Sequence, residues 1–321
     1  MSKSEKVWLV IAACLILIGC VLLGGVMTML NWDVTKLSTT KYETNNHEIN
    51  EPFHAISVHT DTADVTFVAS ENAGCSVVCY EQKNVKHTVM VKDGTLVIEV
   101  DDTRAWHEHI GIQFGTPKIT IYLPQGEYGT LSIKSATGDV KIPNDFTFQS
   151  IDVMENTGDV TNEASALESI NIKTSTGSIC VKGISARSLD LSVSTGNVKV
   201  SDVTCEGDVS VDVSTGKVHL INISCKNVLS EGSTGDILLK NVLATDAFSV
   251  ERSTGDVNLE SCDAAQIFIE TDTGDVEGSL LSEKVFIIDT ETGEKDVPNT
   301  MSGGRCEIST DTGDIEIRIQ R

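Results

Sequence analysis

The 321-residue chain carries 24 basic and 47 acidic residues, a formal charge of −23, and is 40% hydrophobic but only 5% aromatic. Binding phosphates needs clustered Lys and Arg, so this balance excludes nucleic acid and an anionic lipid surface as partners and leaves cations and polar surfaces. A core with so few rings has to be built from aliphatic side chains, which favours regular layers within one large or two ordinary domains.

Residues 1–6 read as a cytoplasmic N-terminus. Residues 7–30, VWLVIAACLILIGCVLLGGVMTML, contain no charge and are long enough to cross the roughly 30 Å hydrocarbon core as a helix. Lys3 and Lys6 precede them, which places the N-terminus in the cytoplasm and the remainder outside. A competing reading takes Leu17-Ile18-Gly19-Cys20 as a lipobox with lipidation at Cys20. The chain stays apolar from Val21 to Leu30, where a lipoprotein turns polar, so an uncleaved signal anchor is the expectation. The polar stretch 31–50 lacks hydrophobic periodicity and reads as a stalk.

Residues 51–130 read as irregular N-terminal coils. Asp61-Thr62-Ala63-Asp64-Val65 looks like a repeat phrase with Ala for Gly, and strands are predicted at Cys75–Tyr80, Thr88–Val91, Leu96–Val100 and Ile119–Leu123. Residues 131–321 are regular. Thr-Gly recurs at Gly138, Gly158, Gly177, Gly196, Gly216, Gly235, Gly255, Gly274, Gly293 and Gly313, always 19 or 20 residues apart.

Aligned on the glycine, the seventh residue before it is apolar in every copy, from Leu131 to Cys306. The fifth before it is apolar except at Ser230, the second after it except at Lys295, and the fourth after it except at Asn162 and Gly278. Spacing of two within each half is strand spacing with one face turned inward. One such unit cannot bury its apolar face, whereas stacked units can. The prediction is an all-β, single-stranded parallel β-helix, a β-solenoid with 19–20-residue coils, whose Thr-Gly part is about 45–50 Å long at the rung spacing of a sheet. An antiparallel sandwich accounts for the strands but not for the same glycine in every unit.

FHAISVHTDTADVTF, GTLVIEV, KITIYLP and the serial STGDV units together resemble the bacterial DUF4097-type family of β-strand-repeat proteins, which carries the label "putative adhesin". The resemblance covers about residues 50–321, and ITIYLP followed by LSIKSATGDV is its most specific part. It implies a β-solenoid ectodomain at the cell envelope; some members resemble companions of membrane-stress signalling systems. It supplies no catalytic or ligand residues.

The residue after the glycine is acidic at Asp139, Asp159, Asp236, Asp256, Asp275, Glu294 and Asp314, but is Ser178, Asn197 or Lys217 in the other coils. Stacking would set like charges about 5 Å apart, a repulsion of roughly 1 kcal/mol per pair even at the dielectric of water. One reading makes Asp236, Asp256 and Asp275, with Asp272, Glu291 and Asp311 nearby, a Ca²⁺-binding edge. The other gives glycine the bend and leaves Asp and Thr to satisfy bend amides; this second reading is preferred, because three coils drop the acid. The rank two before the Thr runs Ser, Glu, Thr, Val, Val, Gly, Arg, Thr, Thr, Thr, too mixed for an ice-binding face.

Seven cysteines lie outside the apolar segment. Cys205 and Cys225 fall at equivalent places in adjacent coils, near enough for a disulfide, with free thiols the preferred alternative. His107-Glu108-His109 beside Trp106 reads as a solvated loop. No G-x-S-x-G, H-E-x-x-H or phosphate-cradling glycine loop occurs, and the coils are too uniform for the groove of a polysaccharide-cleaving β-helix. The expectation is therefore a non-catalytic, cofactor-free, membrane-anchored solenoid that acts as an adhesin or envelope scaffold. The alternative is an accessory sensor or regulator of an envelope-stress system.

Overall fold

The computed structural model describes residues 3–33, 41–71, 74–102 and 115–320. The chain divides into two compact units, one made of Met1–Glu43, Gln82–Val85 and Asp102–Gly115, the other of Thr44–Glu81, Lys86–Asp101 and Thr116–Arg321.

The first unit contains the helix Lys3–Met29. Its Lys6–Met29 stretch spans 24 residues at mean hydropathy 2.9, long and apolar enough to cross a membrane; its large apolar side chains are mostly exposed, Met27 being buried. Cys14 and Cys20 are exposed on it.

The second unit is a β-solenoid. From Leu131 onward each Thr-Gly coil pairs in parallel, in register, with its neighbour: Ile151 lies between Leu131 and Ile170, and Thr157 between Thr137 and Thr176. The apolar columns become one continuous core, with Leu131, Ile151, Ile170, Val209, Phe248 and Ile267 fully enclosed. Exceptions to the columns are accommodated individually. Buried Asn162 closes on itself, donating through Nδ2 to the Ala164 carbonyl at 3.0 Å and accepting the Ala164 amide at 3.3 Å. At Gly278 (φ 149°) a Cβ would lie 2.1 Å from the Leu259 carbonyl.

Coil order in space departs from coil order in sequence at both ends. The coil Ala55–Ala69 stacks directly on the first Thr-Gly coil, Ile56 against Leu131 and Val65 against Val140. The strands Thr95–Asp102 and Lys118–Leu123 return to its other side, pairing Leu96 with Ile56 and Ile119 with Val65. Between them Cys75–Gln82 runs antiparallel to Lys118–Leu123 and forms a hairpin with Val85–Lys92. The region read as irregular coils includes this antiparallel element. The polar stretch read as a stalk includes the strand Tyr42–Ile49, which pairs with Cys75–Gln82.

At the C-terminus the last coil in sequence lies between the two before it: Cys306 pairs with Ile267 on one side and Phe286 on the other. The coil Lys284–Asp296 is thus the terminal rung, and its outward Val285 and Ile287 are exposed.

Candidate functional site

The repeated phrase builds a hydrogen-bonded column. Nine of the ten Thr-Gly glycines have φ between 128° and 153°, a region that L-residues avoid. A Cβ on Gly216 would lie 1.8 Å from the Gly196 carbonyl, so the close approach of successive coils requires glycine as well. Gly293, in the terminal coil, is the one without a positive φ. The other nine glycine amides each donate to the Thr carbonyl of the coil stacked beside them, as Gly158 does to Thr176 at 2.9 Å.

The acid after the glycine serves the same ladder. Asp139 Oδ1 accepts the amide of Asp159 at 2.9 Å, Asp256 that of Asp275 at 3.0 Å, Asp275 that of Asp314 at 2.8 Å and Asp314 that of Glu294 at 2.8 Å; Asn197 accepts that of Lys217 at 2.9 Å. A short side chain ending in an acceptor is what this geometry needs, which is why Asn substitutes for Asp. Glu294 belongs to the terminal coil, where no further amide has to be reached, and the longer acid is accommodated.

Asp236 accepts the Asp256 amide at 3.4 Å and pairs with Lys217 Nζ at 2.8 Å. The Lys217 hydrogen bond holds its carboxyl below the usual carboxylate range. Asp236, Asp256 and Asp275 are therefore engaged first by backbone amides and by Lys217. They do not form a group of three with ligand atoms within 4.8 Å of one another, a condition met among the described residues by Cys79, Glu81 and His87. Asp272, Glu291 and Asp311 are exposed beside the bend.

The rank two before the Thr is not an outer face. Ser135, Glu155, Thr174, Arg252, Thr271 and Thr310 are buried, because the period of two that turns the apolar columns inward continues through this position. Its threonine hydroxyls are spent on bend carbonyls: Thr310 Oγ1 donates to Gly274 at 3.2 Å and Thr290 Oγ1 to Gly313 at 3.1 Å. Burial pushes the Glu155 carboxyl up. Arg252 crosses the empty space over Gly232 and donates from Nη1 to the Val213 carbonyl at 2.7 Å, leaving Nε and Nη2 without partners.

A second bend, six residues after the glycine, is absent from the sequence reading. Gly183, Asp202, Asn222, Asn241 and Ser261 occupy it with φ of 67°, 58°, 55°, 52° and 56°. Asn222 Nδ2 donates to Asp202 at 2.8 Å and Asn241 Nδ2 to Asn222 at 2.9 Å. The signal is present in the residue types, since Gly, Asn and Asp tolerate the left-handed region, although the column has no single consensus.

All nine cysteines are free. Cys205 and Cys225 follow the in-register pairs Val203–Ile223 and Thr204–Ser224 and are both buried. Burial, and for Cys225 also the neighbouring Cys205, pushes the two thiols up to about 11 and about 12. Cys75 and Cys79 share one strand and form no bridge. His107, Glu108 and His109 lie outside the described residues.

A polar cluster that sequence reasoning missed lies beneath the N-terminal hairpin. Cys79 and Glu81, two apart on one strand, face the same way, and the hairpin brings His87 back to them. Glu81 Oε2 accepts from the His87 amide and from Nδ1, each at 2.7 Å, while Asn45 Nδ2 donates to Oε1 at 2.7 Å and His87 Nε2 lies 2.9 Å from Thr60 Oγ1. Thr60, Cys79 and Glu81 are no more than 1% exposed and His87 6%. Burial, then the Glu81 charge, pushes the Cys79 thiol up to about 12. The residues come from distant segments and share no motif, so only the fold assembles them.

At the other end an open cavity of about 530 Å³ lies among Ala264, Ser282, Glu283, Ser302 and Gly303, with Lys284 at its wall. Lys284 Nζ is 2.5 Å from Asp263 Oδ1 and 2.6 Å from Ser282 Oγ. The ion pair and the Ser282 contact tie this lysine to the wall of the cavity.

The Toastrack DUF4097 family model matches residues 53–212 and 206–321. The chain belongs to the Toastrack DUF4097 family. No curated protein matches it significantly. Solved structures similar to this Toastrack chain include a "putative adhesin" from Bacteroides fragilis NCTC 9343, 20% identical, covering 87% of this chain and 97% of its own, with TM-score 0.34. Another "putative adhesin", from Parabacteroides distasonis ATCC 8503, is 9% identical over 88% and 98%, TM-score 0.43. A "putative cell adhesion protein" from Clostridium sporogenes ATCC 15579 is 11% identical over 88% and 100%, TM-score 0.25.

Proposed function

We propose that this Toastrack protein is a non-catalytic binding protein, held in the membrane by residues 7–30 with its N-terminus in the cytoplasm and presenting the solenoid outside as an adhesin or envelope scaffold. The observation that carries the reading is the commitment of the conspicuous repeated residues to the backbone: the Asp and Thr ranks that suggest chemistry are used to close and stack coils. Recognition is left to the outward strand residues.

Those residues are unevenly charged along the stack. Residues 126–200 carry six basic and nine acidic side chains, a net of −3, whereas residues 246–320 carry five basic and eighteen acidic, a net of −13. An acidic surface of this density attracts cationic groups and repels anionic ones, so the partner surface is cationic or neutral and polar.

The test is labelling of intact cells expressing the full chain. In a Cys180→Ser background, a cysteine introduced by Ser210→Cys on an outward strand position should react with a membrane-impermeant maleimide without cell lysis. Glu251→Lys and Glu270→Lys together should weaken retention of cationic envelope material. Labelling only after lysis, or retention unchanged by charge reversal and by salt, overturns the reading.

A further inference from the structure

We infer that Cys79, Glu81 and His87 form a binding site for a zinc-class divalent cation that locks the N-terminal hairpin to the solenoid. This is independent of the binding role proposed above. A thiolate, a carboxylate and an imidazole whose ligand atoms all lie within 4.8 Å are the mixed sulfur, oxygen and nitrogen donors that zinc takes at tetrahedral sites. The same donors suit no hard cation, since calcium and magnesium select oxygen alone.

The supporting contacts are also in place. Metal-bound imidazoles commonly donate their other N–H to a nearby acceptor, and metal-bound carboxylates are hydrogen-bonded in turn. Here His87 Nδ1 faces Glu81 at 2.7 Å while Nε2 lies 2.9 Å from Thr60 Oγ1, and Asn45 Nδ2 holds the second Glu81 oxygen at 2.7 Å. A cation entering between Glu81 and Nδ1 replaces the proton shared there. The imidazole then carries its proton on Nε2, donating to Thr60, and the Cys79 proton leaves to solvent as the metal–sulfur bond forms. A water completes four-coordination.

The location gives the site a purpose. Asn45, Thr60, Cys79 and His87 sit on four different strands, three of which are extra to the regular coil pattern. The hairpin meets Lys118–Leu123 in antiparallel pairs rather than in the parallel ladder of the coils, so a bound cation adds a crosslink where the repeat supplies none.

The test uses the full chain in detergent micelles or nanodiscs, stripped with chelator and titrated with Co²⁺ as the probe and Zn²⁺ as competitor. One equivalent of Co²⁺ should give tetrahedral visible bands together with a thiolate-to-cobalt charge-transfer band, both removed by Zn²⁺. Cys79→Ser should lose the charge-transfer band, Cys205→Ser should keep it, and Asn45→Ala should weaken Zn²⁺ binding by about tenfold. Should Cys79→Ser fail to fold, His87→Gln with unchanged circular dichroism should lose one ligand and shift the visible bands. Absence of any thiolate band in the folded wild-type protein, or its persistence in folded Cys79→Ser, overturns the inference.

Discussion

Replacing Gly255 by Ala tests the bend most sharply. At φ 144° the new Cβ would lie 2.3 Å from the Gly235 carbonyl and 3.1 Å from the Asp236 amide, both backbone and both held by the neighbouring coil. Backbone strain of this kind costs about 1–3 kcal/mol. Displacing the bend also weakens the bonds Gly255 N–H to Thr273 and Gly235 N–H to Thr254, at 2.9 and 2.8 Å, each with a net value of about 1 kcal/mol. The expected loss is about 3–5 kcal/mol, or roughly 6–20 °C in Tm at the scaling for domains of this size. The assay is thermal circular dichroism of the full chain in micelles. Gly183→Asn is the matched control: its φ of 67° suits Asn and its surroundings are open, so it should melt within about 2 °C of wild type. Equal melting of Gly255→Ala and wild type would refute the assignment of the bend.

Arg252→Met should be neutral or stabilising by about 1–2 kcal/mol, because it replaces a buried cation with two unpartnered nitrogens by an apolar chain; a loss above 2 kcal/mol in chemical denaturation would show that the guanidinium has partners. The raised thiols give an alkaline limit. Cys205 and Cys225 have folded-state values of about 11 and about 12 against an ordinary 9.0, so their contribution is complete below pH 9 and is lost as pH rises from 9 towards 12. Tm should fall over that window, and less steeply in Cys225→Ala. Asp256→Ala should cost about 1 kcal/mol by leaving the Asp275 amide unpaired, while Asp256→Asn retains the acceptor and should cost less than half of that, as read from denaturant midpoints.

The middle of the fold is legible because one coil repeats. A period of two on both sides of Gly196 or Gly216 specifies the strands, and the 19–20-residue interval specifies their stacking. The ends are not legible, because sequence order ceases to be spatial order. Nothing in GRCEISTDTGD distinguishes a coil that adds to the stack from one that inserts between Ile267 and Phe286. The strand Tyr42–Ile49 was hidden by its polarity, since only one of its faces meets other residues. The second bend was hidden by its changing residue type, and the Cys79–Glu81–His87 cluster by the pairing that assembles it. The rank at Thr174 and Thr310 faces inward, as its even spacing from Ile170 and Cys306 requires.

The account holds that the acid after each glycine is primarily a backbone acceptor, so the most direct test is Asp236→Asn, Asp256→Asn and Asp275→Asn combined, melted with millimolar Ca²⁺ and with chelator. Asn Oδ1 keeps every ladder bond while the mutual repulsion of three carboxylates disappears. The predicted result is a Tm equal to or above wild type in both media. A wild-type Tm that rises with Ca²⁺ and a triple variant that loses that rise would contradict it.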